Sequence, residues 1–303
     1  MSLVPPVGKG TSRALVTLAF AVVVLIGSLN FVAVRVSNRE LPPFWGAGLR
    51  FMLAAFLFAA AALILRLRPP RGRALAWLAV YGLLSFAISY ALMYWALVRV
   101  SAGMAAVVLA AVPLVTVLLA AAQKLEPLSR KALVGSLVAL AGILWKTTEA
   151  GGIGVPVGAL LAMILATASI AQSVIVGKRV SGHHPVLINA VGMACAFPLL
   201  LALSLLVGEQ RALPKAQEVV LAISYLVIVG SVGMFVLFLW IIRKWTASAT
   251  SYTFVLFPVV TMLLEAWLDD VPLTARVVSG AVLVIAGVWF GVFSGHDEPR
   301  PAP

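Results

Sequence analysis

A chain of 303 residues, 63% hydrophobic and 11% charged, with a mean hydropathy of +1.11, is too apolar for a soluble fold. Its length admits about ten spans of about 20 residues joined by short loops, and no soluble domain beside them. The net charge of +12 is scattered singly or in small groups between apolar runs. It therefore reads as topology signals facing anionic lipid, not as a nucleic-acid surface.

The predicted spans, in chain order, are 13–34, 44–65, 74–97, 101–123, 130–147, 154–177, 185–207, 217–241, 246–268 and 274–294. The first is too long for a signal-peptide core and is expected to be retained. Asn30 is its one amide side chain. The second carries Arg50 about seven residues past Pro43, roughly 10 Å deep at 1.5 Å per residue. A charge there reads as a gate or binding anchor, or as a structural pin bonded to backbone carbonyls.

The third span has the richest polar content. Tyr81, Ser85 and Ser89 recur at four-residue spacing and are expected to share a cavity-lining face, with Tyr90 and Tyr94 as a second stripe. Helix packing by small residues is the alternative. In the fourth span Pro113 removes a helix hydrogen bond and predicts a kink. In the sixth, Gln172 corresponds to Asn30. The two amides read as substrate donors from two sides of one cavity, or as interhelical glue. In the ninth, Tyr252 and Thr253 are further cavity candidates, and Pro258 is a second kink, which with Pro113 lets the helices bend during gating or is a fixed structural bend; Glu265 is the one intramembrane carboxylate able to carry a proton, or an interfacial carboxylate near solvent.

The order of spans repeats. From the third span onward the two halves match at a fixed offset of 145 residues: Trp95 with Trp240, Pro113 with Pro258, Thr116 with Thr261, Gly135 with Gly280. Nearer each start the offset is 142, pairing Asn30 with Gln172 and Pro43 with Pro185. Five spans per half is an odd number, so the second half must enter the bilayer from the opposite side. Inverted repeats of this kind underlie alternating access. With the N-terminus inside, 14 Lys and Arg face the cytoplasm and 7 the outside, with Arg50 left within a span. Both termini are thus expected to be cytoplasmic.

The string SAGMAAVVLAAVPLVTVLLAAAQKLEPLSRKALVGSLVALAGI at 101–143, the GSLNFVAVR ending of the first span and LRFMLAA at 49–55 resemble the drug/metabolite transporter superfamily, in its ten-helix EamA type. That resemblance implies an all-α polytopic membrane fold of ten helices in two inverted five-helix repeats. The repeats would occupy 13–147 and 154–294, with short cytoplasmic tails at 1–12 and 295–303. It implies a basket whose helices 1, 3, 4, 6, 8 and 9 surround a central cavity. Members of that superfamily move amino acids, other small metabolites, nucleotide sugars and cationic drugs, and the leading expectation is a secondary active or facilitative transporter that exports amino acids or related small metabolites, or organic cations, by alternating access across a bacterial inner membrane. Where the second copy should match Glu126 it has Val271, with Asp270 just before, which weakens a coupling role for that acidic position.

No enzyme signature accompanies the pattern. There is no Walker A string and no zinc motif, and a single cysteine, Cys195, excludes an intrachain disulfide. No catalytic residue, metal or cofactor is expected. The expected partners are a small-molecule substrate and the lipid bilayer, not nucleic acid, with the protein a monomer or homodimer. The alternatives are an intramembrane lipid-modifying enzyme, which would need a polar catalytic cluster at one interface, and a channel, which would need a charged ring or carbonyl filter.

Overall fold

The computed structural model of the chain describes residues 13–99, 108–125 and 156–268, with short scattered stretches beyond them. Most of the fifth and tenth spans and both tails lie outside the described residues. The described secondary structure is helical. Its elements are α1 (Arg13–Ser37), α2 (Pro43–Ile64), α3 (Arg73–Leu97), α4 (Val112–Ala122), α5 (Val157–Val180), α6 (Pro185–Leu206), α7 (Gln217–Lys244), the short α8 (Ala247–Ser251) and α9 (Thr253–Leu268). Six of the described helices, α1, α2, α3, α5, α6 and α7, are long and apolar enough to cross a membrane; α4 and Ala249–Thr261 are shorter apolar helices. In hydrocarbon every backbone polar group must be satisfied within the segment, which is why apolar runs of this length become helices.

The ends of the helices fix their directions. Arg179, at the end of α5, stacks over Trp77 near the start of α3, its guanidinium carbon 4.4 Å from the ring centroid. At the other end the Trp95 ring lies against Gly158. α3 and α5 are therefore antiparallel. The start of α2 meets the end of α6, because the Glu209 carboxylate accepts from the backbone N–H groups of Phe44 (3.0 Å) and Trp45 (2.7 Å). α7 begins beside the α1–α2 loop, where Arg39 pairs with Glu218 at 2.9 Å and Glu40 accepts from Lys215 N–H at 2.7 Å. It ends beside the α5–α6 loop, where Arg243 donates to the Ser181 and His183 carbonyls.

Glu209 supplies what α2 lacks. The first N–H groups of a helix have no intrahelical partner, and Pro42 and Pro43 offer no capping side chain. Replacing Glu209 with Ala is expected to cost about 1–2 kcal/mol, the usual worth of a side-chain cap, read as a lower thermal midpoint in detergent. The Arg39–Glu218 pair is well exposed on both sides, so Glu218→Ala should change the midpoint far less.

The core runs through the middle of the bundle. Phe51, Phe86, Tyr94, Leu239, Ile242 and Trp245 are all buried within it. A very close crossing is that of α3 against α6. There Gly82 and Gly192 touch backbone to backbone, and a Cβ built on Gly82 would stand 2.2 Å from the Gly192 Cα. Glycine is needed because only a bare backbone fits so near another.

Candidate functional site

α3 and α7 each contain a π-helical turn, at Leu83–Ile88 and Ile228–Gly233. The two turns stand 145 residues apart, the offset read from the sequence. A π turn adds a residue and disturbs the i→i−4 ladder, leaving carbonyls to other donors. Each turn offers one to the opposite half. Leu84 C=O accepts from Ser169 of α5 at 2.8 Å. Gly230 C=O accepts from Arg50 Nη2 at 2.9 Å and from Asn30 Nδ2 at 3.3 Å. The Ser231 hydroxyl bridges the same turn, donating to Leu226 C=O at 2.8 Å.

Beside the two turns lies a cavity, concave and mostly apolar with a few polar groups, as small-molecule sites are. α1, α3, α5, α7 and α9 line it, together with Leu109 of the fourth span and Arg50 of α2. These are the helices the resemblance implies, with the second added. The wall is mostly aromatic and aliphatic. Phe31, Phe257, Phe254 and Phe238 form a continuous run with centroid separations of 6.3, 5.3 and 6.1 Å. The polar lining is sparse: Asn30, Arg50, Ser85, Tyr90 and Ser173. No acidic residue is among the described lining residues, and no metal-binding group of His, Cys, Asp or Glu occurs among the described residues.

Arg50 is fully buried. Its Nε donates to Ser231 Oγ at 2.8 Å, and its guanidinium carbon sits 5.3 Å from the Phe51 and 5.2 Å from the Tyr90 ring centroid. Among the described residues neither Nη1 nor Asn30 Oδ1 has a hydrogen-bond partner.

The structure brings Asn30, Arg50, Ser85 and Tyr90 to the cavity and places Tyr81, Ser89, Gln172, Tyr252 and Thr253 off the described lining. The π turn explains two of these. It shifts the register, so lining positions run Ser85, Tyr90, Met93, Leu97, and the Tyr81–Ser85–Ser89 stripe does not hold as one face. Tyr81 is buried against Phe86 and Gly177. The Ser89 hydroxyl turns back to Ser85 C=O at 2.7 Å. Gln172 does not join Asn30; its amide accepts from Gln123 at 2.8 Å. Tyr252 and Thr253 sit at the α8–α9 turn, buried but off the lining, with Thr253 Oγ1 donating to Thr250 C=O at 2.9 Å. Pro113 occupies the first turn of α4 after a break at Ala110–Ala111. There its missing N–H costs nothing, so the fourth span is interrupted, not kinked at proline. Pro258 lies inside α9 and does remove a ladder bond. The helix carrying Glu265 is described, but its side chain lies outside the described residues. The Gly230 carbonyl, the feature on which Arg50 and Asn30 converge, is a backbone group and carries no sequence signal.

The EamA-like transporter family model matches residues 14–148 and 157–293. The chain is 32% identical over 249 residues to YedA of Escherichia coli strain K12, named as an uncharacterized inner membrane transporter, covering 81% of this chain and 79% of that one. It is 31% identical over 285 residues to a probable amino-acid metabolite efflux pump of Salmonella typhimurium strain LT2, covering 89% and 92%. A probable terminal-alkyne amino-acid exporter of Streptantibioticus cattleyicolor is 30% identical over 280 residues, covering 89% and 91%. A crystal structure of a protein 22% identical superposes with a TM-score of 0.77 over 94% of this chain and 98% of that one, which establishes a shared fold.

Proposed function

This chain belongs to the EamA-like transporter family, and from that premise we propose that it exports amino acids or related small metabolites across a bacterial inner membrane by alternating access. The observation that carries the reading is the mostly apolar cavity beside two π turns at matched positions of the two halves. A site at a repeat interface is where rocking of one half against the other exposes it to each side in turn. The names of the efflux pump and exporter relatives support the substrate class and direction. YedA's name supports the inner membrane.

In this reading the protein has ten helices in two inverted five-helix repeats, with both termini cytoplasmic. Support comes from the directions of the helices. α3 and α5 are antiparallel, as they must be if two further crossings lie between them. The equivalent pairs α1 with α5, α2 with α6 and α3 with α7 run in opposite senses. Single thiols introduced at 128 and 273 in a Cys195→Ser background should label from opposite sides of the membrane. Labelling from one side would overturn the inversion.

Purified protein in liposomes is expected to give saturable uptake and counterflow with amino acids. Flux that stays proportional to concentration without counterflow would return the channel. Formation of a lipid product would return the enzyme. Because the described lining offers no carboxylate, flux is expected to proceed by uniport or exchange. Glu265→Gln should then leave flux unchanged with or without an imposed pH gradient; loss of gradient-driven flux in that variant would restore proton coupling.

A further inference from the structure

We propose that Arg50 is the carboxylate anchor of the transported molecule, and that the substrate class is therefore a neutral zwitterion with an apolar side chain, not an organic cation. This rests on the exporter reading above and adds the chemistry of recognition to it.

A guanidinium has five N–H donors. Arg50 uses Nε on the Ser231 hydroxyl and Nη2 on the Gly230 carbonyl. Both acceptors are neutral, and a pin to the π turn would be complete with those two bonds and would need no charge. Nη1 is buried without a hydrogen-bond partner among the described residues, on a side chain that is fully buried and lines the cavity. A buried cation with no counter-charge among the described residues is costly, and an arriving carboxylate removes that cost. Charge-assisted bonds of guanidinium to carboxylate are among the strong ones.

The second half of the ligand is indicated by Asn30. Its Nδ2 donates to the same Gly230 carbonyl, while its Oδ1 is buried without a hydrogen-bond partner among the described residues. One carbonyl thus holds in place a residue with an unused donor and a residue with an unused acceptor, beside one cavity. An α-carboxylate and an α-ammonium are the matching pair, and the ammonium can also lie over aromatic faces. The remaining wall, including Phe31, Phe238, Phe254 and Phe257, takes an apolar side chain. A substrate bearing only positive charge would meet Arg50 with no described acidic residue of the lining to offset it.

The test is competition of phenylalanine counterflow in liposomes containing the full-length protein. The probes are phenylalanine, 3-phenylpropionate, phenylalaninamide and phenethylamine. Wild type is expected to bind the two carboxylates at least about tenfold better than the amide and the amine, since a site built to bond a polar group rejects the analogue lacking it. Arg50→Gln should abolish that preference, with phenylalanine losing about a hundredfold in affinity, and Arg50→Lys should keep part of it. Equal competition by phenylalanine and its amide in wild type would overturn the anchor, and so would a retained carboxylate preference in Arg50→Gln. If the glutamine variant does not fold, the wild-type series decides alone. If wild type exchanges no phenylalanine, the exporter reading fails separately. Thermal stabilisation of wild type by 3-phenylpropionate but not by phenethylamine would then still support the anchor. Absence of that difference would overturn it.

Discussion

Gly82→Ala is expected to give a protein that is poorly monodisperse in detergent and unfolds at a markedly lower temperature. The added Cβ would stand 2.2 Å from Gly192 Cα, 2.3 Å from its carbonyl oxygen and 2.6 Å from its carbonyl carbon. These are main-chain atoms with no rotamer to change, so α3 and α6 must move apart. Overpacking typically costs about 1–3 kcal/mol where side chains can yield, and here the cost should lie at or above the top of that range. Gly192→Ala is the internal control. Its Cβ would meet Gly82 Cα and a Phe86 ring carbon at 3.1 Å, a clash of a few tenths of an ångström. Thermal melts of the two variants should therefore separate clearly. Similar losses in both would mean that the crossing is looser than its geometry implies.

Gly230→Ala is expected to act the other way, on transport and not on folding. The new Cβ would come within 2.1 Å of Asn30 Oδ1, which is the tip of a side chain and can swing aside. Stability should fall little. The amide, however, must leave the Gly230 carbonyl that it shares with Arg50, and the arrangement that holds the two residues together beside the cavity is lost. Counterflow efficiency should drop about tenfold or more, equivalent to roughly 1.4 kcal/mol, with the thermal midpoint nearly unchanged. Adding Asn30→Ala to Gly230→Ala should lower transport little further, because both changes remove the same contact. Fully additive losses would show that the two residues act separately.

The sequence made the large-scale organisation visible because membrane helices announce themselves by length and apolarity, and because two halves of one chain can be compared with each other. The 145-residue offset reappears in the π turns at Leu83–Ile88 and Ile228–Gly233. Arg50 and Asn30 stood out because a polar group in an apolar span demands a reason. Tyr81 and Ser89 were misplaced because four-residue spacing presumes an uninterrupted α-helix, and one extra residue in the turn rotates everything beyond it. The phenylalanines of the wall gave no signal, since in a chain 63% hydrophobic an aromatic residue is as much at home against lipid or in the core. Gln172 was drawn to Asn30 by the repeat, yet it met Gln123. Correspondence between halves fixes which residues are equivalent, not which way they face.

The meeting of Arg50 and Asn30 on the Gly230 carbonyl bears on how such a protein can diverge. No codon change can delete a main-chain oxygen. Selection for a new cargo must work through the groups that lean on it, while the backbone fulcrum stays the same.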